Sequence, residues 1–548
     1  MPYFPSRSSL SFAIAILALF AAAGCAKKPA APSGVSAARP AAAQIWRVNN
    51  GAEPQDLDPQ TITGIPEHKI VSGLFEGLAT EDPKDLHPVP GLAESWDISA
   101  DGLVYTFHLR PNLKWSNGDP LVADDCVQTY RRGLTPSFAS EYSYLLWFIA
   151  GAEDYNRGKL GDFSKVGVRA LDDRTLQVTL HHRTPFLLKI IASHNTWSPL
   201  PVKVIAGFGP LEQRGSRWTR AGNLVSSGPF VLKEWTPNQR VVLERNPKYW
   251  DAANVKLDQI IFFPAEEPAT EERMFRTGQV DMTYELPQSK LDTYRRQYPE
   301  SLRIEPYLGI YFYRFNVSRP PFNDKRVRRA LSLAIDRESI VKNVLRGDQQ
   351  PEYAISYPGT AGYTPRARLT GTVEDAKRLL AEAGFPDGKD FPAVELLYNT
   401  SENHRQVAEA IQAMWRRNLG IEVKLVNEEW KVYLTSQHTQ NYQISRGGWI
   451  ADYVDPHVFL EIWTTGNGNN DTLWSNAEYD RLFAAAIAAK DDHERYEIYQ
   501  QMDAILVDEL PVMPIFYYTR VHAVSPRVKG YYPTLLDNHP YKYIYLEN

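Results

Sequence analysis

Apolar and polar positions change period along this chain. VYTFHLR, Val104 to Arg110, alternates and places Tyr105, Phe107 and Leu109 on one side, as a half-buried strand does. VRALDDRTLQVTL, Val168 to Leu180, reads as two such strands folded about Asp172-Asp173. QRVVLERNPKYW, from Gln239, is a strand that stops at the turn signal Asn246-Pro247. Further on the period becomes helical. Thr372 and Asp375 have capping-box spacing, Ala376, Leu379, Leu380 and Ala383 then form a stripe, and Gly384 ends it. After Ser401 a second stripe runs through Val407, Ile411, Met414 and Trp415 to Gly420, and IEVKLV, Ile421 to Val426, alternates again. Helices are also predicted at Lys325–Arg346 and His493–Asp508. Strand, helix and strand in close succession predict an α/β lobe, and no repeat of fixed period is present.

The first 25 residues have a different pattern. Arg7 is their only charge, and Leu10 to Phe20 is an unbroken run of apolar and small residues. Ala21, Ala22, Ala23 and Gly24 then lead to Cys25. A basic start, an apolar middle and a small-residue end make residues 1–25 a signal peptide. The run is shorter than the ~20 residues that span a bilayer comfortably. The small residues before a cysteine resemble a lipobox, at which the cysteine of a bacterial lipoprotein is acylated. Ala22 stands where leucine is usual, so an ordinary secretory signal with an incidental Cys25 stays open. Residues 26–43, rich in Ala, Pro, Ser and Lys without apolar periodicity, read as a flexible tether. With Cys25 acylated, Cys126 is the one cysteine left in the folded part, which excludes an internal disulfide and a zinc cluster built on cysteines.

A length of 548 residues predicts two or three lobes, and 43% hydrophobic with 23% charged residues belongs to a folded globular chain. A net charge of −5 carries none of the basic excess that nucleic acid requires. The 13 Trp and 30 Tyr supply core, and those left over suit a cleft, since these rings join a large apolar face to a polar handle. Signatures of metalloproteases, nucleophile elbows, phosphate loops and EF-hands are missing. GNGN at Gly466–Asn469 lacks the context of a dinucleotide fingerprint, and Asp124-Asp125 reads as surface. No histidine pair has ligand spacing on an obvious helix, and the adjacent His181 and His182 would face opposite ways in a strand. No cofactor or metal is expected, and the chain reads as a binding protein and not an enzyme.

Long segments then resemble, in order, the oligopeptide-binding proteins of bacterial peptide ABC transporters. They are LFEGLAT from Leu74, PGLAESWDISADGLVYTFHLRPNLKWSNGDPLVADD from Pro90, and SSGPFVLKEW from Ser226 running on to VVLERNPKYWD. FNDKRVRRALSLAIDRESI from Phe322, KRLLAEAGF, LLYNTSENH, NEEWKVYL, RGGWIADYVDP and LPVMPIFYY follow, so the likeness covers the mature chain. The resemblance implies a periplasmic-binding-protein fold of α/β class: two ligand-gripping lobes and an extra lobe, closing about a hinge. Lobe I would be discontinuous, 44–77, 203–308 and 519–548; lobe II would be 78–202 and lobe III 309–518. The implied function is capture of short peptides and delivery to the permease subunits of an ABC transporter. The protein would be monomeric, periplasmic or on the cell surface, and tied to the membrane only by its lipid.

The resemblance also implies a site. Asp452 would pair the ligand's α-amino group, with Arg446 and His404 at its carboxylate. Trp430 and Tyr142 would pack on the peptide. The segment from Thr63 through Ile65 to Pro66, and the stretch with Gly447, Gly448 and Trp449, would offer strand edges to its backbone. Four departures from the family bear on ligand choice. Gly309 and Ile450 stand where well-studied members have cysteines. Gln437 replaces an arginine, Leu345 followed by Arg346 replaces a lysine, and Arg314 replaces an acidic residue. Another solute (a murein peptide, a dipeptide, a sugar or a metal complex), or a sensing or chaperone lipoprotein, remains open at this point.

Overall fold

The computed structural model describes residues 43–547; the expected signal peptide, Cys25 and the expected tether up to residue 42 lie outside them. Three larger sheets organise these residues. The first has the order Ile45–Asn49, Gln259–Phe263, Arg240–Arg245, Phe230–Thr236, and so joins the start of the described chain to its middle. The second is antiparallel, in the order Ala93–Ile98, Val104–Leu109, Thr175–Thr179, Val168–Asp172. Its second strand buries Tyr105, Phe107 and Leu109, the face that alternation marks. The Asp172-Asp173 turn pairs its two strands as read.

The third sheet has six strands: Gln350–Pro351, Val512–Ala523, Leu302–Phe315, Ile444–Ile450, Val394–Asn399 and Val423–Glu428. The last two are parallel and joined by the helix Glu402–Leu419, whose buried face includes Val407, Ile411, Met414 and Trp415. Gly420 closes that helix at φ +69°, a conformation that favours glycine. Ile421 packs in the core, so the strand starts at Val423, two residues later than alternation alone places it. Thr372 and Asp375 form the capping box of Val373–Glu382. Fully buried rings, among them Trp46, Trp197, Trp218, Trp415 and Trp463, fill the space between layers.

The two longest strands, Leu302–Phe315 and Val512–Ala523, each run through a border drawn from the resemblance, at 308/309 and 518/519. Their pairing shifts register between Pro306 and Ile310, where proline removes one ladder donor.

Two local expectations need correction. Lys325–Arg346 is not one helix. Lys325–Leu333 stops, Asp336 accepts from Ser339 N to cap a new turn, and a wider π-type turn Ile340–Leu345 follows. Thr63–Pro66 is not a strand edge. Gly64 precedes the helix Ile65–Leu74, and Pro66, which lacks an N–H, sits in its first turn.

Candidate functional site

The strand Ile444–Ile450 carries the site. On one side it pairs antiparallel with Leu302–Phe315 from Ile444 to Ile450. On the other it pairs with Val394–Asn399 only at Ile444 and Ser445. From Arg446 onward that second edge has no strand partner among the described residues. Side chains alternate along it, so Arg446, Gly448 and Ile450 are its half-buried positions and Gly447 and Trp449 its buried ones.

The alternation separates the two glycines. A Cβ on Gly447 would lie 2.4 Å from Cε2 of the buried Phe312, so Gly447 serves the protein's own core and not a ligand. A Cβ on Gly448 would meet the Tyr518 hydroxyl at 2.9 Å, on the cavity side. Trp449 also borders the cavity, with its indole Nε1 buried and unpartnered.

A cavity of about 240 Å³ opens beside this strand. Thr63 and Ile65 border it from the loop and first turn before Leu74, Tyr142 from the Ser140–Leu146 segment, and His404 from the first turn of Glu402–Leu419. Trp430 borders it at the start of Trp430–His438, and Arg446 and Asp452 from the site strand and the residues just past it. Of the residues that the resemblance nominates for the ligand, all but Gly447 border this one cavity.

Asp452 is largely buried, its side chain 11% exposed, and its buried Oδ2 has no partner. The nearest basic group is His194 Nε2 at 3.7 Å from Oδ1. Burial raises the Asp452 carboxyl to about 8 and lowers His194 to about 3. At neutral pH the contact therefore joins two uncharged groups and is no ion pair. Tyr142 packs over His194 at 4.3 Å between ring centres and lies 6.3 Å from Trp449.

Arg446 is the opposite case. One terminal nitrogen donates to the Tyr518 hydroxyl and the other to Asn399 Oδ1 at 3.3 Å, and the guanidinium lies 4.9 Å from the Tyr311 ring centre. Its Nε is buried without a partner. The other arginines of the cavity are paired, Arg314 with Asp471 and Arg520 with Asp537 at 2.9 Å. Among the described residues Arg446 has no carboxylate. Burial and the neighbouring Arg446 charge hold His404 well below its usual range, so it is a neutral imidazole beside the cation, 3.5 Å from the Tyr311 hydroxyl.

Trp430 donates to Glu67 Oε1 at 3.3 Å and stacks on Tyr433. Gly64 lies between them: a Cβ there would meet Glu67 at 2.2 Å and Trp430 at 2.7 Å. His194, Glu67, Tyr311, Tyr518 and Asn399 escape a reading of motifs. For Tyr518 the signal is present, since it alternates with Phe516 along one strand.

The departures also have places. Gly309 lies directly opposite Ile450, whose side chain fills the space that the glycine leaves. Gln437 is buried and turned inward, donating to Ser445 Oγ and to the Arg446 carbonyl at 3.0 Å. Leu345 borders the cavity, whereas Arg346 turns outward to Asp292 at 2.7 Å. Asp471, which pairs Arg314, is also 3.1 Å from His438 Nδ1.

Comparison with known proteins identifies the fold and the family. The chain is 37% identical over 532 residues to the periplasmic oligopeptide-binding protein OppA of Escherichia coli (strain K12), covering 95% of each. The crystal structure of Haemophilus influenzae OppA in complex with RPPGFSPFR matches with a TM-score of 0.87 at 34% identity, over 92% of this chain and 99% of that one. The Escherichia coli murein tripeptide binding protein MppA matches with a TM-score of 0.87 at 33% identity, over 92% of this chain and 99% of that one. Its unliganded open form, at 32% identity over 92% and 98%, gives only 0.61. At nearly equal identity, that drop reports the arrangement of parts, and the arrangement here is unlike the open one. Residues 87–471 match the family described as bacterial extracellular solute-binding proteins, family 5 Middle, and the chain belongs to that family.

Proposed function

We propose that this protein captures short peptides outside the cytoplasmic membrane and hands them to the permease of an ABC transporter. One observation carries the reading: an unpaired buried carboxyl, Asp452, and an unpaired buried guanidinium, Arg446, border the same cavity six residues apart. The Arg446 charge has no counter-charge and the neutral Asp452 carboxyl can ionise against a cation, so the pair is complementary to a ligand that brings a carboxylate and an ammonium. Six residues of extended chain span about 20 Å; less the reach of both side chains, that suits a peptide of about three to five residues.

The open edge from Arg446 to Ile450 would take the peptide backbone as an added strand, a contact indifferent to side chains. Neutral His404 would assist at the carboxylate, and Trp430 and Tyr142 would pack over the chain. Lobes at 44–77 with 203–308 and 519–548, at 78–202, and at 309–518 would close about the register shift near Pro306. Acylation at Cys25 and the tether would hold a monomer at the membrane surface, beside its permease. No step of catalysis belongs to this role.

Calorimetric titration with tri- to pentapeptides tests the reading. Free-ended peptides are expected to bind, and acetylating the amine or amidating the carboxylate should each weaken binding by about tenfold or more. Equal affinity for capped and free peptides would contradict it.

A further inference from the structure

Glu285, Gln288 and Asn403 line the same cavity as Arg446. Asn403 and Glu285 lie close to the Arg446 group. Asn403 is the neighbour of His404 in one helical turn, and Glu285 is near enough to Tyr518, which holds Arg446, to act on it by charge. Glu285 is fixed in place. Its backbone N–H donates to Glu271 at 2.9 Å, and its Oε2 accepts from Asn403 Nδ2 at 3.0 Å.

The unpartnered buried atoms of Asn403 and Gln288 are acceptors. Glu285 has no cation partner among the described residues, and neither has Glu271. The Oδ1 of Asn403 and the Oε1 of Gln288 are both buried and unpartnered, on side chains 8% and 7% exposed. The nearest other cations, Arg520 and Lys69, are both held by Asp537, at 2.9 and 2.7 Å. Buried acceptors left without donors are costly, and a ligand that supplies N–H groups relieves that cost.

The geometry points to a second charge subsite at the carboxyl end of the cavity, in which Glu285, Asn403 and Gln288 take the basic side chain of a peptide's last residue while Arg446 takes its carboxylate. This assignment rests on the peptide reading above and narrows it to a substrate class: short peptides ending in lysine, ornithine, arginine or another residue with a side-chain amine or guanidinium. An ammonium offers three donors, and the subsite holds a charged acceptor and two neutral ones. Leu345 and Leu286, which also line the cavity, suit the methylene stem of such a side chain.

Calorimetric titration of the wild-type protein and of Glu285→Gln, each with Ala-Ala-Lys, Ala-Ala-norleucine and Ala-Ala-Glu, tests it. Norleucine keeps the stem and removes the charge. The wild type is expected to bind the lysine peptide about tenfold or more tighter than the norleucine peptide, with the glutamate peptide weakest. In Glu285→Gln the lysine-to-norleucine ratio should fall close to one. If all three peptides bind the wild type with similar affinity, or the ratio survives in Glu285→Gln, the subsite assignment is wrong and the peptide reading stands. If no peptide binds, the peptide reading fails and the subsite with it.

Discussion

Asp452→Asn separates ligand binding from folding more cleanly than any other single change. With its carboxyl raised to about 8 by burial, Asp452 is mostly protonated at pH 7 in the empty cavity, and an asparagine is close to it in shape and charge. The variant should therefore fold and melt like the wild type. The bound state differs sharply. A ligand ammonium enters a wall whose only other nearby basic group, His194, is uncharged, and in the variant no carboxylate can form to meet it. Loss of one partner of a buried charge-assisted pair costs about 2–5 kcal/mol, or about 30- to 4,000-fold in Kd. Calorimetry with a free-ended tripeptide reads the affinity, and thermal unfolding without ligand reads the fold. Unchanged affinity in a variant that melts normally would refute the reasoning about Asp452.

Other outcomes follow from the same geometry. Peptide binding at pH 7 should release about one proton, because Asp452 is protonated when empty and ionised against an ammonium. Titrations in buffers of different ionisation enthalpy measure this, and affinity should rise between pH 6 and 8; a pH-independent Kd would speak against it. Arg446→Met should weaken free-ended peptides by about 2–5 kcal/mol and leave the variant unable to distinguish them from C-terminal amides; a surviving preference would place the carboxylate elsewhere. Gly447→Ala should destabilise the fold by about 1–3 kcal/mol through the Phe312 contact, whereas Gly448→Ala should act on peptide affinity, as melting and titration of both would show. A Gly447→Ala protein that melts like the wild type would overturn the division of roles between the glycines.

Much of the fold was legible where one face of an element is buried. Val104–Leu109 alternates because its sheet has a wet side, and Glu402–Leu419 shows its stripe because it covers a sheet. Lys325–Arg346 misleads because its apolar period survives the break, while the restart depends on Asp336 turning its side chain back onto Ser339 N. The edge at Thr63–Pro66 rested on the resemblance alone, and the local signal, Pro66 at the start of Ile65–Leu74 after the extended Gly64, is that of a helix start. The candidate ligand residues were legible only through resemblance: Tyr142, His404 and Asp452 are distant in sequence, and no spacing joins them.

The chemical state of the site was not legible at all. That Asp452 and Arg446 lack counter-charges, whereas Arg314 and Arg520 have theirs, depends on Asp471 and Asp537, far along the chain. The strand alternation that assigns Gly448 to the cavity and Gly447 to the core was present in RGGWI, but it needs a known buried face to be read.

Mass spectrometry of the small molecules released by mild denaturation from the purified protein tests the central claim most directly. Short peptides of mixed sequence, about three to five residues long and free at both ends, are the predicted result, with basic residues enriched at their carboxyl ends. A sugar, a bile acid, a metal complex or peptides blocked at their amino ends would contradict the account.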